Sequence, residues 1–146
     1  MTGERVIGAG GSIPWDLPAD RQLFRRLTEG NTVIMGRATF NSLPTPLPNR
    51  HNIVISRTLE GAAGVSICRN FLEGVALGWR LGRPLFVIGG VELYRKALPI
   101  ADFLHVSWVD GEYAGDRHFP PLDLAQWEAI ETVAYPGFRH ITYRRR

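Results

Sequence analysis

The chain has 146 residues, of which 45% are hydrophobic and 21% are charged, a balance that predicts one soluble globular domain. A single cysteine, Cys68, excludes an intramolecular disulfide and a cysteine-built zinc cage, and no apolar run is long enough to span a membrane. The net charge of +3 is scattered except for three terminal arginines, a run typical of a solvated tail. We therefore expect a cytoplasmic protein that binds small anionic ligands, and neither nucleic acid nor a membrane.

A glycine-rich loop and a helix come first along the chain. Glycines at positions 8, 10 and 11 follow a short apolar stretch and predict an irregular, mobile loop. A helix is predicted to begin at Pro18 and to end at Gly30. Within it Asp20 lies at helical spacing from Phe24 and Leu27, so one carboxylate shares the apolar stripe.

Strands and short helices alternate through the middle of the chain. Segments 32–35, 52–56, 65–68 and 85–88 predict strands, and the unbroken apolar run in the last of these is typical of a strand covered on both faces. The turn at 36–39 is predicted to lead into a short helix that ends near Leu43, and further helices are predicted over 70–81 and 91–98. In the helix over 70–81, Phe71, Val75 and Trp79 are spaced four apart and predict an apolar stripe.

Three further strands end the chain. Segments 103–109, 127–133 and 138–143 have the strand pattern, and the last two are close enough to pair as an antiparallel hairpin across Pro136 and Gly137. The whole pattern predicts an α/β fold with a mixed central sheet, helices on both faces and an antiparallel C-terminal hairpin. No linker or second domain is indicated, so residues 1–146 are expected to form one domain.

Asp20 is the first candidate for chemistry. A carboxylate on an apolar helix face loses part of its hydration and calls for a cationic or donor-rich partner. The alternative is structural, because Asp20 lies two residues after Pro18 and would stabilise the positive end of its own helix. This feature alone leaves both interpretations open.

Two strand-to-helix turns could bind phosphate. Residues 36–39 and 89–90 place backbone amides at predicted helix N-termini, where anions bind well. Neither turn has the spacing of a dinucleotide-binding or Walker motif, so each could also be a tight connection.

Arginines and one tryptophan lie near these segments. Arg37, Arg50 and Arg57 could capture a carboxylate or phosphate, although each alone could be a surface charge. Trp15 could form a flat wall for a ring ligand or belong to the core. The four histidines have no metal-ligand spacing, so no metal site is predicted.

Taken together, these segments resemble the dihydrofolate reductase family over most of the chain. The matching blocks occur in the family's order, which is more specific than any single block. They are Val-Ile-Gly at 6–8, Ile-Pro-Trp-Asp-Leu-Pro-Ala-Asp at 13–20, residues 32–43, residues 46–56, Val-Ile-Gly-Gly at 87–90 and Gly-Asp-Arg-His-Phe-Pro at 115–120.

The resemblance implies reduction of 7,8-dihydrofolate to 5,6,7,8-tetrahydrofolate with NADPH as cofactor. Hydride would pass to carbon 6 of the pteridine and a proton to nitrogen 5. Asp20 would be the only ionisable group in the pteridine pocket, where it would orient the ring and promote its protonation, with Trp15 and Ser107 completing the catalytic group. A monomer is expected.

The resemblance also assigns binding residues. Arg50 would bind the α-carboxylate of the substrate's glutamate, and residues 8–15 would form a mobile loop over the nicotinamide. The other substrate-binding residues would be Phe24, Leu43, Leu47 and Ile88. The cofactor-binding residues would be Ile7, Ile13, Gly36, Arg37, Ala38, Thr39, Ser56, Arg57, Gly89, Gly90, Val91 and Tyr94. The bond between Gly89 and Gly90 is expected to be cis.

The chain departs from the family pattern at four places. The family begins with an apolar strand for which only five residues are present here, so the first strand is expected to be lacking. Val91 replaces a glycine beside the pyrophosphate. Glu92 would place a negative charge near the 2′-phosphate, which the nearby arginines would have to compensate. Asn49 replaces the glycine before Arg50, a mild change because asparagine tolerates a left-handed turn.

Two alternatives to this function remain. One is a truncated or degenerate homologue that binds folate or nucleotide with little turnover, which the short N-terminus favours. The other is a related pterin or pyrimidine reductase, which would not need Arg50 for a glutamate tail.

Overall fold

The computed structural model describes residues 1–146, which fold into two compact units. One, here called the terminal unit, contains Met1–Leu23 and Leu98–Arg146, and the other, the central unit, contains Phe24–Ala97. The α/β class is confirmed, and the single-domain organisation stays a prediction. No helix combines the length and the hydrophobicity required to cross a bilayer.

Nine strands and four helices make up the two units. The strands are β1 (Val6–Gly8), β2 (Thr32–Gly36), β3 (His51–Ile55), β4 (Val65–Cys68), β5 (Leu85–Val87), β6 (Phe103–Val109), β7 (Arg117–His118), β8 (Trp127–Tyr135) and β9 (Phe138–Arg145). The helices are α1 (Pro18–Thr28), α2 (Arg37–Ser42), α3 (Phe71–Arg80) and α4 (Val91–Ala97).

The central unit is built on a parallel sheet with the strand order β4-β3-β2-β5. The inner strands β2 and β3 form the core, and Val33, Ile34 and Met35 are each 0% exposed. Segment 85–88 contains β5, an edge strand of this sheet whose half-buried side chains pack against core clusters on both faces, Leu85 and Val87 on one and Phe86 and Ile88 on the other, as expected. Four consecutive apolar residues therefore mark a strand here without marking its place in the sheet.

Helix α3 packs through glycines rather than through its tryptophan. Its buried residues include Phe71, Gly74, Val75 and Gly78, whereas Trp79 is 69% exposed, so the predicted stripe is wrong at Trp79. The period of 3.6 residues explains the difference, because the seventh residue after Phe71 returns to the same face and the eighth does not. The two glycines allow the helix to approach the sheet closely, which the four-apart pattern did not take into account.

The terminal unit contains two antiparallel sheets. Strand β1 pairs with β7, and the second sheet has the order β6-β9-β8. Strands β8 and β9 form the predicted hairpin across Pro136 and Gly137, and β8 runs two residues further than expected, to Tyr135. Both the parallel and the antiparallel parts of the expected fold are thus present.

The basic run at the end of the chain is not a solvated tail. Arg144 forms an ion pair with Glu128 at 2.8 Å. The Nε of Arg145 donates a hydrogen bond of 3.0 Å to the carbonyl oxygen of Ala101, and its guanidinium lies 4.4 Å from the ring centroid of Trp127. Strand β9 includes both arginines, so pairing with β8 and β6 determines their position.

Gly115 marks a close backbone approach in the terminal unit. A Cβ at this position would overlap the carbonyl oxygen of Gly8 and lie 2.5 Å from Cγ1 of Val6. We expect Gly115→Ala to lower the free energy of unfolding by about 1–3 kcal/mol, because the obstructing oxygen belongs to the backbone. Urea denaturation would measure the change, with Gly3→Ala as the control because no atom lies within 4 Å of a Cβ there. Equal stabilities of the two variants would contradict this account.

Candidate active site

Asp20 in the terminal unit has the donor partner that its position requires. It lies in the first turn of α1, which begins at Pro18, and its Oδ1 accepts a hydrogen bond of 2.6 Å from the Oγ of Ser107 in β6. The side chain is half-buried rather than fully buried. One hydrogen bond leaves the other carboxylate lone pairs available to a ligand.

Asp20 interacts electrostatically with two other ionisable groups, and that it is the only ionisable group in the pteridine pocket stays a prediction. The α-amino group of Met1 donates a hydrogen bond of 2.6 Å to the carbonyl oxygen of Ser107. Burial lowers the pKa of this amino group to about 6, while the charge of Asp20 acts in the opposite direction. His140 also interacts electrostatically with Asp20. The carboxylate therefore has two titratable neighbours.

The loop before α1 carries Trp15 and Ile13. Trp15 is half-buried and meets the ring of Tyr113 edge-on, with 5.5 Å between centroids. Ile13 is 63% exposed, whereas Ile7 in β1 packs against the apolar cluster that contains Met1. The glycine-rich stretch forms a tight turn in which Ala9 and Ser12 exchange backbone hydrogen bonds. It is irregular, as predicted, and its mobility stays a prediction.

Arg50 in the central unit is held in place by two hydrogen bonds. Its Nε donates to the carbonyl oxygen of Pro48 at 2.9 Å, and its Nη1 donates to the Oγ1 of Thr28 at 3.0 Å. The preceding Asn49 has a φ of 57°, so the expected left-handed turn is present. Since a guanidinium has five N–H donors, Arg50 retains donors for an anion.

The apolar residues expected around a ring ligand are only partly buried. Leu43, Leu47 and Ile88 pack against the buried cluster of β2 and β3. Phe24 is 36% exposed, and the guanidinium of Arg50 lies 6.0 Å from its ring centroid. The apolar stripe predicted for α1 is therefore not buried at Phe24. The buried residues of α1 are Leu23 and Thr28.

The two phosphate-binding turns lie against each other in the central unit. The amide of Gly36 donates a hydrogen bond of 2.9 Å to the carbonyl oxygen of Gly89. A Cβ on Gly89 would lie 3.3 Å from the Oγ1 of Thr39, and one on Gly90 would have only that oxygen, at 3.9 Å, in contact range. The Gly89–Gly90 bond is cis, as expected. The missing side chains leave open backbone beside a hydroxyl, which fits a pyrophosphate.

Arg37 and Glu92 decide the charge beside these turns. The Nη1 of Arg37 donates a hydrogen bond of 2.9 Å to the Oγ1 of Thr58, and the neighbouring Arg57 is exposed. Glu92 forms an ion pair with Arg95 in the same helix. Arg95 thus compensates the charge of Glu92 within α4. Less negative charge therefore remains for Arg37 and Arg57 to compensate.

The remaining cofactor candidates lie around the same turns. Ser56 is 7% exposed, and its Oγ accepts a hydrogen bond of 3.0 Å from the amide of Leu59. Ala38 is exposed in α2 and Val91 is half-buried at the start of α4. The amide of Tyr94 donates to the carbonyl oxygen of Gly90 at 3.0 Å, and burial raises the pKa of its phenol to about 12.

The model of the family described as dihydrofolate reductase matches residues 1–143 of the chain. The chain belongs to the dihydrofolate reductase family. Dihydrofolate reductase type A13 of Escherichia coli is 40% identical over 100% of this chain and 91% of its own length. The dihydrofolate reductase of Haemophilus influenzae is 44% identical over 84% of this chain and 76% of its own length.

The fold of this chain is also similar to that of a solved dihydrofolate reductase structure. Dihydrofolate reductase from Enterococcus faecalis, complexed with NADP(H) and RAB-propyl, superposes with a TM-score of 0.90 at 31% identity, covering 99% of this chain and 91% of that one. The expected fold family is thus confirmed. The expectation about the family's first strand stays a prediction.

Three groups near the candidate site were not found from the sequence. They are the α-amino group of Met1, the hydroxyl of Thr28 and the imidazole of His140. The sequence does place Thr28 four positions after Phe24, which predicts that both side chains lie on the same face of the helix. The sequence likewise places His140 two positions after Phe138 in a predicted strand, so both side chains are expected on the same face of the sheet.

Proposed function

We propose that the chain catalyses the reduction of 7,8-dihydrofolate to 5,6,7,8-tetrahydrofolate, with NADPH oxidised to NADP⁺ and one proton consumed. Membership of the dihydrofolate reductase family supports this reaction. The observation that carries it is the half-buried Asp20 carboxylate fixed by Ser107 at 2.6 Å. NADPH, when bound, supplies the hydride for carbon 6 of the pteridine.

Asp20 binds and orients the pteridine in this proposal. An ionised carboxylate only accepts hydrogen bonds, so it fits the 2-amino and ring N–H donors of the substrate. Its negative charge also favours a proton on the pteridine, delivered to nitrogen 5 through water. Ser107 fixes the carboxylate in one orientation, and Trp15 provides a flat apolar wall that limits water.

Arg50 binds the α-carboxylate of the glutamate tail. The hydrogen bonds to Pro48 and Thr28 fix the plane of the guanidinium, so little side-chain entropy is lost when a bidentate pair forms. Phe24, Leu43, Leu47 and Ile88 contact the rings of the substrate.

The turns of the central unit bind the cofactor. Thr39 and the amides of Gly89 and Gly90 hold the pyrophosphate, and Arg37 and Arg57 bind the 2′-phosphate. The remaining cofactor residues, at the turns and beside the nicotinamide, are Ile7, Ile13, Gly36, Ala38, Ser56, Val91 and Tyr94.

The conservative substitution Thr28→Val tests the role of Arg50. Thr28→Val removes the acceptor of the 3.0 Å hydrogen bond and keeps the shape of the side chain. We expect the KM for dihydrofolate to rise about 3–10-fold with kcat little changed, because one hydrogen bond to a charged group is worth about 1.5 kcal/mol or less here. Steady-state kinetics would measure it, with the exposed Thr45→Val as the control. An unchanged KM would show that Thr28 does not position Arg50.

NADPH oxidation followed spectrophotometrically with dihydrofolate tests the reaction itself. Turnover that depends on both substrates is the expected result. Binding of NADPH and folate without turnover would instead support the degenerate homologue. A pterin or pyrimidine reductase would turn over a tail-less substrate as well as dihydrofolate. The cytoplasmic location, the monomeric state and the absence of nucleic-acid or membrane partners stay predictions.

A further inference from the structure

In the three-stranded sheet β6-β9-β8 of the terminal unit, polar side chains of neighbouring strands lie opposite one another near Asp20. The register pairs Ser107 of β6 with His140 of β9. It also pairs His105 with Thr142, which in turn faces Glu131 of β8. Cross-strand partners share a face of the sheet, so His140 lies next to the serine that donates to Asp20.

His140 is a buried polar group with an unused ring nitrogen. The residue is 4% exposed, and its Nε2 has no hydrogen-bond partner. Its ring stacks on that of His105, with centroids 5.4 Å apart and an angle of 8° between the planes. A buried imidazole with an unsatisfied nitrogen is costly, so apolar packing alone does not explain a histidine at this position.

The charged groups around His140 act on it in opposite directions. Burial lowers the pKa of His140, and the negative charges of Glu131 and Asp20 act to raise it. Burial also lowers the pKa of His105, and the charge of His140 adds to this effect. On the other side, Asp20 interacts with the α-amino group of Met1.

We propose that His140 is a positioning residue for the reduction, whose protonated ring stabilises the negative charge of the Asp20 carboxylate that binds the pteridine donors. This proposal rests on the proposed function, because it concerns the carboxylate assigned to the substrate. The attraction is reciprocal: the Asp20 carboxylate favours protonated His140, and protonated His140 stabilises the negative charge of that carboxylate. The effect appears as the pH falls and the imidazole gains its proton.

Titration of the His140 ring by NMR tests the coupling without an activity measurement. Asp20→Asn removes one of the two negative charges that raise the pKa of His140, and Glu131 remains, so we expect the titration midpoint of His140 to fall by about 0.5–1 pH unit. His140→Gln identifies the resonance by its disappearance. The ring of His118, in β7, is the control within the same spectra. A His140 midpoint that is equal in wild type and Asp20→Asn would overturn the proposal.

The pH profile of turnover tests the consequence for the reaction. We expect the ratio of kcat at pH 5.5 to kcat at pH 8 to be about threefold or more lower in His140→Gln than in wild type. His118→Gln is expected to keep the wild-type ratio. All variants carry the same Met1 amino group, so its titration cancels in the comparison. A loss that is equal at both pH values would indicate a merely structural role and overturn the proposal. Absence of turnover in wild type at every pH would instead refute the proposed function, and the NMR result would still decide the coupling.

Discussion

Asp20→Asn is expected to lower kcat for dihydrofolate reduction by about 100-fold or more while leaving the Kd for NADPH within about twofold. The amide retains the size of the side chain and can still accept from Ser107, but it has no negative charge to favour a proton on the pteridine. It also replaces one acceptor oxygen by a donor, which would face the donors of the substrate. The residues proposed to bind the pyrophosphate and the 2′-phosphate belong to other turns, so NADPH affinity is a readout of intact folding.

Steady-state kinetics and fluorescence titration of NADPH would measure both quantities. Asp16→Asn is the matched control, because Asp16 is an exposed carboxylate that forms an ion pair with Arg21 and has no contact with Ser107. Turnover of Asp20→Asn equal to that of wild type would remove Asp20 from the mechanism. A parallel loss of NADPH affinity would indicate damage to the fold instead.

Arg50→Ala is expected to weaken binding of ligands with a glutamate tail by about 10–100-fold. The estimate follows from about 1.5–3 kcal/mol for hydrogen bonds to a charged group, at about 1.4 kcal/mol per tenfold. A tail-less diaminopyrimidine should bind both forms equally well. Isothermal titration of methotrexate and of the tail-less ligand would measure the two affinities.

The control for this substitution is Arg26→Ala, an exposed arginine of α1 with no assigned contact to substrate. Equal losses for both ligands would mean that Arg50 supports the fold rather than the tail. No loss for either ligand would favour the pterin or pyrimidine reductase. The milder Thr28→Val should fall between wild type and Arg50→Ala for the tail-bearing ligand alone.

Elements with local signals could be predicted from the sequence, whereas packing partners could not. Strands β4 and β6 begin and end at the predicted residues because turn residues and apolar runs define their bounds. The exposure of Trp79 depends on how closely Gly74 and Gly78 approach the sheet, and that depends on the side chains of other elements. The edge position of β5 is likewise a property of strand order, which an apolar run does not encode.

In the candidate site, too, contacts between distant parts of the chain could not be predicted from local sequence patterns. The pairing of Asp20 with Ser107 and the meeting of Thr39 with Gly89 were expected only through resemblance to a family, since 87 positions separate the first pair. His140 was missed because its neighbourhood depends on the register of β6 and β9, and a shift of one residue would turn it to the other face.

The arginines at the end of the chain contribute to the net charge of +3 and are held by contacts within the terminal unit. Releasing Arg145 toward a polyanion would uncover the indole of Trp127, which is 4% exposed, and leave the carbonyl oxygens of Leu98 and Ala101 without their donor. Releasing Arg144 would free Glu128, a negative charge that would repel the same polyanion. A polyanion that bound these two cations would therefore have to break the contacts that hold the end of β9 in place.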